Sequence, residues 1–376
     1  MTAPLRHGGL GITPLRDLAP EAYMGSWGLV AHAVETQLQH PLQLLASQPS
    51  TMAQLSFQAA MRELPLGAVD PEAICLQPER RLQRRLSQSR YAHNLAQQRS
   101  AEAPLRDHVL LGNLSTRGSS TFLTAFPADN KFSLSDSQLR TFIRFRLQCP
   151  VMQQGPCANR NCSRHADEFG RHAMACNGKA TVRHDSTQNL LMEDFRAYGL
   201  SASNRPSGSR FHHIPDLEID STIQPGKTWL EFYIPDPTLD TRMQQSDRAS
   251  VSPNLERLYK TKLQQEYRIP PSTKAPDDLL PMVWSVYGNP LPDTLTALKS
   301  LASRTAGAEG RTIHLLANRW HALAHFNVAK EVVRMIRESA GDAPASRATQ
   351  DWAEPVPPVE LLEALPGPWS WDMDDL

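Results

Sequence analysis

No stretch of the chain approaches the roughly 18 consecutive apolar residues that a membrane-spanning helix needs. Arg6, His7 and several glycines stand where the apolar core of a secretion signal would sit. There is no net charge to argue from, since 39 Lys and Arg balance 39 Asp and Glu; only local basic patches bear on a polyanionic partner. Cysteine is sparse, five in 376 residues without regular pairing, which argues against a secreted disulfide framework. No internal repeat is visible. These absences predict a soluble, intracellular protein with no membrane partner, and the length favours two or three domains.

What is present begins as helix. In residues 1–75, "DLAPEAYMGSWGLVAHAVETQLQ" carries apolar residues at helical spacing, interrupted further on by Pro41, Pro65 and Pro71. Residues 76–148 read as a basic helical linker. Within it "PERRLQRRLSQSRYAHNLAQQR" sets Arg80, Arg81, Arg84 and Arg85 along a helix, either as a solvated face or as contacts to a phosphate backbone. In "SLSDSQLRTFIRFRLQ", Ser135 is placed to cap a helix with Gln138 three residues on, ahead of Leu139, Phe142, Ile143 and Leu147 on one face.

Beyond a Cys- and His-rich segment at 149–180, residues 181–339 read as one mixed α/β domain. A helix over "HDSTQNLLMEDFRAYG" is expected to be capped by Asp185 or Ser186, to bury Leu191, Phe195 and Tyr198, and to end at a left-handed Gly199. "IPDLEID" and "TWLEFYIP" alternate like strands, "NLERLYKTKLQQEY" is a charged helix, and "PMVWSVYG", bounded by Pro281 and Gly288, reads as a buried strand. Two further helices fit 292–303 and 311–338. From Ala340 the chain turns Pro-rich and acidic, the composition of a disordered tail over 340–376.

Two constellations carry chemistry. Zinc takes four soft or borderline ligands at tetrahedral corners, commonly as two short-spaced pairs. Cys157 and Cys162 form one pair, and His172 and Cys176, at helical spacing, form the other. Gly170 and Asp167 suit a turn leading into that second pair. His165 competes as a ligand, and Cys149 is left out because it sits where the preceding helix ends at Leu147 and Pro150. The second constellation is acidic. Hydrolysis of a phosphodiester needs carboxylates converging on a divalent cation. Pro215 and Asp216 open one strand; Glu231 sits in the next, with fourteen residues between the two acids. A hairpin of that size can bring both to one Mg²⁺. A lysine is expected two residues past the second acid, but Tyr233 stands there, so Lys260 or Lys262 on the following helix would have to reach back.

The cluster, with "ADEFGRHAMAC" and "VRHD", then "IPDLEI", "WLEFYIPDP", the lysine helix and "PMVWSVYGNPLPDTLTALKSL", resembles the C-terminal region of non-LTR retrotransposon proteins that carry a restriction-like endonuclease. "RHGGLGITPLRDLAPEAYMGSW" is similar to the segment after the polymerase thumb in that family, and "SSTFLTAFPADNKFSLSDSQLRTFIRFRL" to the linker before the zinc motif. The resemblance covers most of residues 5–335. It implies a restriction-endonuclease-like mixed sheet flanked by helices, preceded by a helical region and a CCHC zinc motif. It implies Cys157, Cys162, His172 and Cys176 as structural Zn²⁺ ligands, Asp216 and Glu231 as Mg²⁺-holding catalytic acids, and a catalytic lysine moved to the next helix. His184, in the "RHD" element, matches a family position and is read as capping, phosphate-facing or structural. The activity implied is nicking of double-stranded DNA in the nucleus, so that the cut end primes reverse transcription of element RNA. The chain departs from the family in two ways. Nothing resembles the polymerase's paired aspartates, so the chain reads as a 3′ portion of an element, with reverse transcriptase supplied in trans; and Glu231 stands where many relatives have Asp. The alternative is a zinc-containing nucleic-acid-binding remnant whose catalysis has decayed.

Overall fold

The computed structural model describes residues 19–26, 52–64, 82–98, 103–125, 129–176, 179–204, 211–220, 226–244, 253–270, 272–273, 275–305 and 309–341. The acidic tail beyond 341, Arg80 and Arg81 lie outside the described residues. The chain divides into two compact units, 1–111 and 112–376, with the division inside the stretch read from sequence as a linker.

In the first unit, helix α1 (19–26), α2 (Met52–Glu63) and α3 (Leu82–Gln98) share a core of Met24, Phe57, Ala60, Leu64, Leu82 and Leu86. Leu82 and Leu86 lie four apart and so face the same way. The basic helix α3 is therefore anchored by one apolar stripe, and Arg84 and Arg85 are exposed. Farther along it, Arg90 meets the buried Glu21 and donates to Glu63 O at 2.9 Å.

Helix α4 (Leu105–Leu114) spans the division. In the second unit come the short α5 (Thr121–Thr124) and α6 (Asp136–Arg146). The cap expected for α6 is present in both directions: Gln138 N donates to Ser135 Oγ at 3.3 Å, and Ser135 N donates to Gln138 Oε1 at 2.9 Å. A two-stranded hairpin, β1 (Gly155–Pro156) with β2 (His165–Ala166), leads to α7 (Arg171–Ala175). Helix α8 (Lys179–Ala197) follows. It starts earlier than the sequence suggested. Asp185 and Ser186 lie inside it and cap nothing, because the preceding "KATVRH" continues the helix and buries Arg183, whose guanidinium donates to Ile234 O at 2.7 Å. The α8 end is as expected, with Gly199 at φ 83°.

The sheet runs β3 (Ser201–Asn204), β4 (Leu217–Asp220), β5 (Thr228–Tyr233) and β6 (Leu279–Val283) in that spatial order. β3 to β5 are antiparallel; β5 and β6 are parallel, joined through α9 (Pro253–Tyr267). The chain is thus mixed α/β. β3, a strand without large apolar residues, had no sequence signal. The apolar run after Pro281 is only partly strand: the chain leaves the sheet after Val283, and Ser285 N bonds Asn289 O at 2.9 Å to close a turn. Gly288 in that turn has φ 83°, and a Cβ there would meet the His325 ring at 2.4 Å, so glycine is required twice over.

Helices cover both sheet faces, which is why Thr228 to Phe232 are all buried. On one face Trp229, Leu279 and Val283 pack with Leu255, Tyr259, Leu263 and Tyr267 of α9. Phe232 points to the other face, edge-on to His184 of α8. Behind lie α10 (Pro292–Ala302) and the thirty-residue α11 (Arg311–Ala340), both where the periodicity predicted them. Asp194 ties α8 to α11 by accepting from Arg319 Nη2 at 2.8 Å and Trp320 Nε1 at 3.1 Å. No described helix is long and apolar enough to cross a membrane.

Candidate metal centres

The first site is local. Residues 155–176 wrap Cys157, Cys162, His172 and Cys176 so that one ligand atom from each lies within 4.8 Å of all the others. Cys157 Sγ and Cys176 Sγ are 3.9 Å apart, Cys162 Sγ and His172 Nε2 3.4 Å. Ligands about 2.0–2.3 Å from a tetrahedral zinc stand roughly 3.3–3.8 Å from one another, so this spacing fits one such ion. Backbone bonds hold the frame: Cys157 N to Arg164 O at 3.0 Å and Cys162 N to Asn159 O at 2.8 Å. Asp167 starts α7 as expected, accepting from Phe169 N, Arg171 N and His172 N at 3.0, 3.2 and 2.6 Å. Gly170 has φ 75°, and a Cβ on it would come within 2.9 Å of Ile336, so α11 presses on the turn that aims His172. Asn159 Nδ2 lies 3.1 Å from Cys176 Sγ, a donor to that sulfur which the sequence did not flag. The competing His165 is exposed on β2 and outside the cluster. Cys149 is likewise outside it.

The second site assembles from distant segments. Asp216 enters β4 just before Leu217, which pairs with Leu230. Its amide donates to Leu230 O at 3.1 Å, and its Oδ2 accepts from Phe232 N at 2.7 Å. Asp216 is therefore bonded to the residues on either side of Glu231. Glu231 is wholly buried; Tyr267 donates its hydroxyl to Oε2, and the Lys262 ammonium touches Oε1 as an ion pair. Lys262 also donates to Phe232 O at 2.8 Å and passes 5.3 Å over the Tyr233 ring. It thus reaches back over the residue that displaces the expected lysine. Lys260 does not: its side chain points to solvent and pairs with Glu256 at 2.6 Å, one helical turn away. The two lysines are two positions apart on a helix, so only one can face the sheet.

His184 does not cap the helix. It sits within α8 with Nε2 3.2 Å from Asp216 Oδ2 and Nδ1 3.0 Å from Asp185 Oδ1. Burial opposes its charge, but Asp216 and then Asp185 hold its pKa above the ordinary histidine value. Burial likewise pushes Asp216 up, yet His184, Lys262 and the Phe232 amide hold it below the usual carboxylate range. Glu231 goes the other way. Burial, with Asp216 adding to it, raises its pKa to about 7 despite Lys262 and Tyr267. Lys262, although penalised by burial, is held above its ordinary value chiefly by Glu231.

Of the sequence-selected acids only Glu231 belongs to a three-ligand group, and its partners there are His213 and Glu266. Asp216 turns toward His184. Tyr267, Glu266 and His213 were not singled out in the sequence; the only cue was their nearness to "IPD" and to the lysine helix.

No protein-family model matches the chain, and no curated protein matches it. What fold and sites define is a mixed α/β protein with a Cys₃His cluster able to hold a metal and, apart from it, a buried glutamate–lysine pair beside an aspartate–histidine pair.

Proposed function

We propose that the second unit is a metal-dependent DNA endonuclease with a restriction-endonuclease-like fold, of the kind that nicks target DNA for a non-LTR retrotransposon. The observation that carries this is that Asp216, on the bend entering β4, bonds the amide next to Glu231 and feels the charges of Glu231 and Lys262, while the Lys262 ammonium arrives on Glu231 from the next helix. Asp216 and Glu231 are the residues that would hold Mg²⁺. The chemistry such an ion supplies is activation of a water and stabilisation of charge on the departing oxygen. His184 and the Phe232 amide fix Asp216 Oδ2, which leaves Oδ1 for that role. Tyr267 fixes Glu231, and Lys262 brings positive charge to where a phosphate would develop negative charge. The Cys₃His cluster would hold structural Zn²⁺ and pin its loop to the end of α11, where Ala158 N bonds Ser339 O at 3.1 Å. Arg84 and Arg85, with Arg80 and Arg81, would contact duplex phosphates without reading sequence. Double-stranded DNA in the nucleus is the substrate, and element RNA and a reverse transcriptase supplied in trans are the partners.

Nicking of supercoiled plasmid with Mg²⁺, by wild type and by Asp216→Ala, tests the proposal. Equal nicking by the two sinks it. One observation favours the alternative of a decayed, binding-only remnant: Glu231 is closed off by Tyr267 and Lys262 and prefers its proton up to about pH 7. That reading predicts salt-dependent DNA binding with no Mg²⁺-dependent cleavage by the wild type.

A further inference from the structure

His213, on the bend before β4, Glu231 on β5 and Glu266 near the end of α9 bring one ligand atom each within 4.8 Å of one another. Neither His213 nor Glu266 has a task in the nuclease reading. We infer that these three side chains form a site for a divalent first-row transition cation, one that shares Glu231 with the Mg²⁺ position of the nuclease reading but does not need Asp216, and that the Lys262 ammonium is its built-in competitor.

Three observations support the site. Glu231 has no solvent exposure, its Oε2 is taken by the Tyr267 hydroxyl, and its Oε1 has no partner but the Lys262 ammonium among the described residues. A buried carboxylate oxygen left in that state is costly unless a cation meets it. The Lys262 ammonium now does so, and it also lies 3.6 Å from Glu266 Oε2. The point where the two carboxylates converge is thus already a place for positive charge. Finally, the His213 ring stands edge-on to Tyr267 with centroids 5.2 Å apart, which sets Nε2 3.7 Å from Glu266 Oε2. Two ligands about 2.1 Å from one cation stand roughly 3.0–3.4 Å apart, so for this pair a shift of a few tenths of an ångström suffices.

The ligand types select the ion. An imidazole with two carboxylates suits Mn²⁺ or Zn²⁺ better than Mg²⁺, which takes oxygen almost alone. Lys262 can yield its place, because Phe232 O and the Tyr233 ring already give its ammonium other partners. His213 is exposed and Glu266 half-buried, so the pocket opens to solvent on their side.

The site is tested by titrating the full chain with Mn²⁺ and counting the free aquo ion by electron paramagnetic resonance. His213→Ala and Glu266→Gln should each weaken one Mn²⁺ site by about tenfold or more, on the scale of losing a metal's supporting groups. Asp216→Asn should leave that site within about twofold of wild type, well under the 1.4 kcal/mol of a tenfold change. Lys262→Met should tighten it. Matching thermal unfolding of each variant with wild type guards against misfolding. Mn²⁺ binding indifferent to both His213→Ala and Glu266→Gln overturns the site, whether or not the protein nicks DNA; weaker binding by Lys262→Met overturns the competitor role. His213-dependent Mn²⁺ binding in a protein that Asp216→Ala leaves equally active would refute the nuclease reading alone.

Discussion

The Cys157–Cys176 cluster draws all its ligands from twenty consecutive residues, whereas the Glu231 pocket collects His184, His213, Asp216, Lys262, Glu266 and Tyr267 from two helices and the segment leading into β4, around one strand. The first is a short loop that a metal can close with little entropy lost. The second exists only once the sheet has formed and α8 and α9 have packed on its two faces. Their electrostatics differ accordingly. The cluster needs no neighbouring charge to be complete, while the pocket balances Asp216, Glu231, Lys262 and His184, whose pKa values are moved in opposite directions.

The largest effect is expected from the local site. Cys176→Ser should lower bound zinc from one ion per chain to none, and should cost about 4 kcal/mol where free zinc exceeds its dissociation constant a thousandfold. Emission spectroscopy and denaturant unfolding check it; full zinc retention would show that the cluster is not the ligand set. Next comes the pocket. Lys262→Met should slow nicking at least about a hundredfold, or ~2.7 kcal/mol in the barrier. Single-turnover plasmid cleavage reads this directly.

Gly170→Ala joins the two regions, because its strain is set by α11 and not by the loop. A left-handed φ costs about 1–2 kcal/mol for a residue with a Cβ, and the Ile336 contact adds to it, so the denaturant midpoint should fall at unchanged m-value.

Glu231→Gln isolates the pocket's titration. In the wild type Glu231 carries its proton up to about pH 7 when folded, against 4.5 when unfolded, so acidification through that window stabilises through this group. Two buried histidines act oppositely. His321 accepts from Trp284 Nε1 on Nδ1, so its neutral ring donates from Nε2 to Gly118 O at 3.0 Å, and burial takes its pKa down to about 4. His325, stacked on Phe122, is also lowered well below the ordinary histidine value by burial, His321 and Arg146. Both bind protons more readily when unfolded, so they destabilise the fold as pH falls below 6.5. Without Glu231 that loss is uncompensated. The stability difference between wild type and Glu231→Gln should widen by about 1.4 kcal/mol for each pH unit lowered from 6.5 to 4.5. A pH-independent difference in denaturant unfolding without Mg²⁺ would rule this out. Smallest of all, Lys260→Ala should change stability by no more than about 0.5 kcal/mol and leave nicking near wild type, since its partner Glu256 is a solvent-exposed neighbour on the same helix.

Features set by near neighbours were readable in advance. The Ser135–Gln138 cap, Gly199, the turn at Asp167 and Gly170, the limits of α10 and α11 and the four Cys₃His ligands all depend on residues within a few positions of one another. The errors share a cause. β3 has no apolar alternation of its own and exists because β4 supplies its hydrogen bonds. α8 starts at Lys179 because tertiary packing accepts Arg183, which hydrogen-bonds Ile234 O far along the chain. "PMVWSVYG" leaves the sheet early because Gly288 makes a turn against His325, a residue of α11.

The sequence by itself determined which four residues form the Cys₃His cluster and the limits of α10 and α11, since ligand spacing and periodicity act over one or two turns of chain. Tertiary structure alone decided that Lys262 and not Lys260 faces Glu231, that His184 serves Asp216, and that His213 and Glu266 join the buried acid. Those outcomes follow from which side of α8 and α9 meets the sheet, and that is settled by packing between residues far apart in the chain.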